Sequence, residues 1–283
     1  MNSSDPHDLD SGPDPATIAA SEPEPEPERA EVNPVYVVGI GPGNHEYLTP
    51  RNERAIREAD VVVGFETVVE YVREVIDSRA MEDDMVDDET TDGGEADGGP
   101  APNTELLTCG YADEGETLEA FADSVDDGRS GVAVSMGDPN FSGYQFVGKV
   151  QRAVGLPVRV LPGISSLQIA ASRARTPMEE ASFVTLHKSG EITRDRRRLR
   201  ENVGNRHLLV LPRPYDWMPG DTAADLLDGG APGSLDSLVF ERLTHDDERV
   251  TRTTLDDLAT HAGGTGAEET PFSDLSVLVV RAE

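Results

Sequence analysis

From Val35 the chain alternates short apolar runs with amphipathic stretches, and this alternation predicts most of its elements. Val35-Tyr36-Val37-Val38 is apolar and mostly β-branched, so it reads as a strand that breaks at Gly39-Ile40-Gly41-Pro42-Gly43. Thr49 as N-cap and Pro50 at the first helical position open a helix with Ala55, Ile56 and Ala59 on its inner face, closed by Asp60. A buried strand over 61–64 follows, then a helix from about 66 to 76. Residues 106–108 read as a strand, 116–125 as a helix and Gly131–Ser135 as a strand. A helix with Phe146 or Val147, Val150 and Val154 turned inward leads to the strand Val158–Leu161. Ser165 or Ser166 caps the next helix, which carries Leu167, Ile169, Ala170 and Ala171. Strands joined through helices predict a parallel sheet with right-handed connections.

Beyond about residue 180 the rhythm loosens. Residues 183–186, His207–Leu211, 237–240 and 275–280 read as strands, and 223–227 and 255–261 as helices. A charged turn lies at 245–248 and an arginine-rich segment at 194–200. The fold class expected is α/β in two lobes. Residues 34–161 form a mostly parallel N-terminal sheet and 162–283 a mixed C-terminal one, with no internal repeat.

Charge changes the picture at two places. The formal net charge is -31, from 55 acids against 24 bases. Residues 1–33 hold nine acids and one base, and residues 81–103 nine acids and no base. Both are poor in apolar residues, so the first is expected to be a disordered acidic tail and the second a disordered insert. Outside them 37 acids still face 23 bases, and only Lys149 and Lys188 are lysines. Acid excess with almost no lysine is the profile of a protein kept soluble in high salt, or of a high-GC genome with an acidic tail. An acidic surface disfavours nucleic acid. No apolar run approaches the ~18 residues of a membrane span, and the acidic N-terminus suits neither a secretory signal nor a transit peptide. The lone Cys109 excludes an internal disulfide and fits a reducing compartment, so a cytoplasmic protein is expected. The six histidines show no ligand spacing, and no metal site is expected.

Candidate chemistry lies in three loops: Gly39–Gly43, Met136-Gly137-Asp138-Pro139 and Pro162-Gly163-Ile164-Ser165-Ser166. The first is not a dinucleotide fingerprint, because the third spaced glycine is missing and Pro42 has no N–H to offer a phosphate. Each alone reads equally as a tight turn or a helix entrance. His187-Lys188, just past a strand, is either a solvated pair or a contact to substrate. The arginines of 194–200 either pair with carboxylates of a substrate or form a solvated face balanced by acids such as Glu191 and Glu201.

In this order and spacing the loops resemble those of the tetrapyrrole methylases, over about 34–283 outside the insert. Within that family G-I-G-P-G-N-H-E-Y-L-T-P, A-D-V-V-V-G-F, S-F-V-T-L-H-K-S-G and F-E-R-L-T look most like the cobalt-precorrin C5-methyltransferases of cobalamin biosynthesis. The resemblance implies two α/β lobes with the active site in the cleft between them, and S-adenosylmethionine as methyl donor. It implies C5 of cobalt-precorrin-7 as acceptor in the anaerobic-type route. It places Pro42, Met136, Gly137, Asp138, Phe141, Ser165 and Ser166 at the donor, with Leu211 to Arg213 and Leu243-Thr244 as further contributors.

An aspartate proposed as a base in some relatives is replaced here by Gly64-Phe65-Glu66. Glu66 is therefore open to two readings, a base or an acid in the first turn of a helix. The catalytic group stays unknown, with Glu66 and His187 as candidates. Relatives of this kind imply a homodimer. A chain ending at Glu283 leaves C15 methylation and decarboxylation to a separate pathway partner. Methylation of another tetrapyrrole carbon, diphthine synthesis on the same fold, and a non-catalytic cofactor-binding module are the competing functions.

Overall fold

The computed structural model describes residues 33–86, 104–110, 112–141, 143–188, 190–214, 216–263 and 269–283. The tail expected over 1–33, apart from Asn33, and the insert expected over 81–103, apart from its first six residues, lie outside them. The chain divides into two compact units, one ending at Gly163 and the other running from Ile164 to Glu283.

The first unit holds β1 (Val35–Gly39), α1 (Pro50–Arg57), β2 (Val61–Phe65), α2 (Glu66–Val86), β3 (Glu105–Cys109), α3 (Glu114–Asp126), β4 (Gly131–Ser135), α4 (Tyr144–Ala153) and β5 (Val158–Leu161). Its five strands are all parallel, in the order β3-β2-β4-β1-β5. Successive side chains of a strand face opposite sides, and both sides here are apolar. Val38, Ile40, Val62 and Val134 pack with Ile56 of α1 and Val68, Val69 and Val72 of α2. Val37, Val61, Val63 and Ala133 pack on the other face with Phe121 of α3 and Phe146 and Val150 of α4. Thus β1 feeds a helix on one face and its neighbour β4 a helix on the other. Their carboxyl ends form a topological switch point, where open α/β sheets bind ligands.

Two boundaries differ from expectation here. Helix α2 continues past residue 76 to Val86, so residues 81–86 of the segment expected to be disordered are helical. No glycine or proline stands between Glu66 and Val86, and glutamate is a good helix former. Helix α1 stops at Arg57, short of Asp60. The Asp60 carboxylate instead accepts from the Ser130 N–H and hydroxyl, each at 2.8 Å, which ties the start of β2 to that of β4. Those bonds hold its pKa below the ordinary carboxylate value.

The second unit holds α5 (Ser166–Ala174), β6 (Ala181–Thr185), α6 (Thr193–Asn202), β7 (His207–Leu211), α7 (Pro219–Asp228), β8 (Asp236–Glu241), β9 (Arg249–Thr254), α8 (Leu255–Ala259) and β10 (Ser276–Val280). Its sheet is mixed, in the order β6-β7-β10-β8-β9, with only β6 and β7 parallel. The core gathers Val184, Leu208, Val210, Val239 and Leu278 beneath Leu199 of α6, Leu226 of α7 and Leu255 of α8. Strand β9 has no counterpart in the sequence reading. It is an edge strand, Arg-Val-Thr-Arg-Thr-Thr, with no fully buried residue, so its β-branched residues carry no apolar run.

The arginine-rich segment is helix α6, and its inner arginines are paired. Arg196 and Arg200 both hydrogen-bond the buried carboxylate of Asp225 on α7, and Arg196 lies 4.3 Å over the Trp217 ring. The balancing acid is therefore mainly Asp225. Glu201 makes a 3.8 Å exposed contact with Arg197, and Glu191 accepts from Thr193. Lys188 pairs with Asp195 at 2.6 Å.

Candidate active site

Within the first unit the three glycine loops meet backbone to backbone at the carboxyl ends of β1, β4 and β5. Gly41 N–H donates to the Gly137 carbonyl at 3.2 Å and Gly137 N–H returns a bond to Gly41 at 2.7 Å. This reciprocal pair joins the first loop to the second. Gly41, Gly43 and Gly137 all have positive φ (84, 110 and 68°), which turns the backbone where a side chain would strain. Gly163 closes the group. A Cβ on Gly163 would lie 2.7 Å from the Gly39 carbonyl oxygen and deep inside contact with that of Gly137. A Cβ on Gly39 would lie 2.5 Å from Gly137 O and 2.7 Å from Gly163 N. No side chain fits at either place.

A fourth residue binds this junction together. Asn52, on the inner face of α1, is 1% exposed. Its Nδ2 donates to the Gly39 carbonyl at 2.7 Å and to the Pro162 carbonyl at 2.9 Å. Both hydrogens of the amide are thus used on two different loops. Thr49 sets the helix in place by accepting from the Asn52 N–H at 3.3 Å, with Pro50 at the first position. The sequence reading passed over Asn52, although its phase with Ile56 and Ala59 places a polar residue on an apolar face. That misfit was the available signal.

The remaining predicted residues fall as follows. Pro42 is buried, and Met136 is 40% exposed. Asp138 is half-buried, and its Oδ1 accepts from the Asn140 N–H at 3.0 Å and from the Asn140 side-chain amide at 2.9 Å. Phe141 is half-buried and donates its N–H to the Asp138 carbonyl at 2.9 Å. Ser165, in the second unit, is the N-cap of α5: its Oγ accepts from Leu167 N–H at 3.3 Å, and its N–H donates to Gln168 Oε1 at 2.8 Å. Ser166 is the first residue of that helix. Glu66 is exposed at the first position of α2, after β2, where a negative charge favours the helix dipole. His187 is exposed after β6, and its N–H donates to Thr185 Oγ1 at 3.2 Å. The first two loops are therefore joined directly, whereas Glu66 follows β2, which borders β4 and is separated from β1 and its loop by β4 in strand order.

Cys109 ends β3, 1% exposed. Burial, with the negative charges of Glu114 and Asp113 added, pushes its thiol pKa up to about 12. Only the thiolate is nucleophilic, so the native protein is expected to leave a thiol-reactive dye unchanged at pH 8 while the unfolded chain consumes one equivalent. Rapid reaction of the folded protein would show Cys109 to be accessible and activated.

The family model for Tetrapyrrole (Corrin/Porphyrin) Methylases matches residues 34–259, which hold the first sheet, strands β6 to β9 of the second and all three loops. The chain belongs to the tetrapyrrole methylases. Membership makes it an S-adenosylmethionine-dependent C-methyltransferase. A probable cobalt-precorrin-7 C(5)-methyltransferase of Methanocaldococcus jannaschii is 26% identical over 231 residues, covering 80% of this chain and 91% of the relative. A cobalt-precorrin-4 C(11)-methyltransferase of the same organism is 21% identical, covering 83% and 84%. Among solved structures, the precorrin-6Y methylase of Archaeoglobus fulgidus has a TM-score of 0.57 at 20% identity, covering 89% of this chain and 100% of that one. The Thermus thermophilus uroporphyrin-III C-methyltransferase complexed with S-adenyl homocysteine has a TM-score of 0.60 at 21% identity, covering 88% and 92%. At these identities the solved structures establish the tetrapyrrole methylase fold. Among the described residues no helix is long and apolar enough to cross a membrane.

Proposed function

We propose that this methylase transfers a methyl group from S-adenosylmethionine to C5 of cobalt-precorrin-7 in cobalamin biosynthesis. The observation that carries the reading is the junction of Gly39, Gly137 and Gly163 at a sheet switch point, in a chain whose first relative carries that acceptor in its name. The residues present suit the donor. Its amino-acid part is zwitterionic, and the Asp138 carboxylate, oriented by Asn140, matches an ammonium group. Backbone of the positive-φ turns at Gly41, Gly43 and Gly137 offers polar groups without side chains to crowd a ligand. Pro42, Met136, Gly137, Asp138, Phe141, Ser165 and Ser166 are the residues assigned to it.

When bound, the sulfonium supplies a methyl group that is already activated for displacement. The chain's task is then alignment and exclusion of water, which alone reach effective molarities of ~10⁵ M and above. Loops fixed by backbone pairs and by Asn52 suit that task better than a mobile side chain does. Neither Glu66 nor His187 is given a step. The acidic composition with two lysines is read as adaptation to high salt, so assays belong in molar KCl.

The acceptor is the finer part of the proposal, and the C(11) relative names its competitor. Given cobalt-precorrin-7 and cobalt-precorrin-4 in separate reactions, the enzyme is expected to turn over the first and leave the second. The reverse preference would transfer the reading to C11.

A further inference from the structure

We infer that Asn52 is a positioning residue for the methyl donor, setting the separation between the β1 loop and the β5 loop. This rests on the reading that the three loops hold S-adenosylmethionine. The geometry goes further than a helix-packing role requires. A buried amide needs partners, and carbonyls of its own helix would serve as well. Asn52 instead spends its two donor hydrogens on the end of β1 and on the loop after β5, 110 residues away in sequence. One acceptor, the carbonyl of Gly39, belongs to a residue whose Cα faces Gly137 O and Gly163 N at distances that exclude even a methyl group.

The first loop is thus held on one side by the reciprocal Gly41–Gly137 backbone bonds and on the other by the Asn52 amide. Without the amide, the Gly39 carbonyl loses a donor where it is buried, and the carbonyl of the exposed Pro162 loses its tie to the end of β1. The Gly39 neighbourhood then opens or shifts until solvent reaches its carbonyl, because an unpaired buried carbonyl is costly, and the β5 loop is released from it. A displacement on the scale of 1 Å in a group that orients a reactant has a large effect on binding and rate. Position 52 therefore acts through the loops and touches no reacting atom.

The test is calorimetric titration of S-adenosylhomocysteine into the full chain, wild type and variants, well below every melting temperature. Asn52→Ala is expected to raise Kd about tenfold, and Asn52→Asp to raise it further by setting a carboxylate against two carbonyl oxygens. Ile56→Val, one turn along the same buried face, lowers stability but keeps the amide, and is expected to leave Kd within about twofold. If Asn52→Ala does not fold, Asn52→Ser, which keeps a single donor, is expected to fall between wild type and Asn52→Asp. In turnover, KM for the donor is expected to rise more than kcat falls. Wild-type affinity in a folded Asn52→Ala or Asn52→Ser protein would overturn the inference while leaving the donor site intact. So would an equal loss in Ile56→Val, which would make the effect one of general stability. Failure of the wild type itself to bind would instead remove the reading on which the inference rests.

Discussion

Gly163→Ala is expected to weaken S-adenosylhomocysteine binding by about a hundredfold and to abolish measurable methyl transfer. The added methyl group has no space: it meets the carbonyl oxygens of Gly137 and Gly39, both backbone atoms, and neither can rotate away as a side chain does. Relief requires the β5 loop to move off the other two, which separates the groups assigned to the donor. Overpacking of this kind costs ~1–3 kcal/mol, a melting-temperature drop of roughly 2–6 °C for a chain of this size. The protein therefore stays folded at room temperature, and binding and stability can be read separately. Gly128→Ala is the matched control. Gly128 also lies in the first unit and has a φ of 93°, so alanine is strained there, but no atom crowds its Cβ. It is expected to lose stability and keep its affinity. Equal affinity in Gly163→Ala and wild type would show that the loop junction does not shape the donor site.

The second large effect is expected in the other unit. Asp225→Asn removes the charge that Arg196 and Arg200 share, and is expected to destabilise the protein by ~1.5–3 kcal/mol, the range for hydrogen bonds to a charged group. Asp225 is 5% exposed and the two guanidinium groups are partly exposed, so the variant strands no buried charge and the loss is that of the charge-assisted hydrogen bonds. Burial raises the Asp225 pKa, but the hydrogen bonds and charges of Arg200 and Arg196 outweigh it and hold the group below the ordinary value. A depressed pKa in the folded state gives stability that is present above the unfolded value of 3.8 and lost as pH falls through the folded one. Wild type is thus expected to lose stability relative to Asp225→Asn on acidification below about pH 4, so that the two melting curves converge. Molar salt is expected to leave the difference largely intact, because the Debye length is then ~3 Å and these groups are in contact. The exposed Arg197–Glu201 pair at 3.8 Å should contribute nothing measurable there. Parallel melting curves of wild type and Asp225→Asn from pH 7 to 3 would show that Asp225 is not held as its contacts imply.

The fold was legible wherever burial writes a continuous apolar run. The strands Gly131–Ser135, Val158–Leu161 and His207–Leu211 end where the sequence pattern ends, because each lies in a sheet with apolar partners. Edge strand β9 was not legible, since half-exposed arginine and threonine alternation carries no core signal. The acids of 81–86 hid the end of α2 for the opposite reason: charge was read as disorder where helix propensity prevailed. Of the candidate site, the loops were visible as glycine and proline spacing. Their joining was not, because Gly41–Gly137 pairing and the fit of Gly163 are backbone contacts between segments about 100 and 120 residues apart in sequence. Asn52 was legible only as a polar residue in the wrong phase of a helix.

The measurement that bears most directly on the central claim is the position of the transferred methyl group. Purified enzyme in molar KCl, given S-adenosylmethionine labelled with ¹³C at the methyl carbon and cobalt-precorrin-7, is expected to yield one new methyl resonance attached to C5. Gly163→Ala is expected to yield none. Label on another ring carbon, or no label despite tight donor binding, would contradict the account.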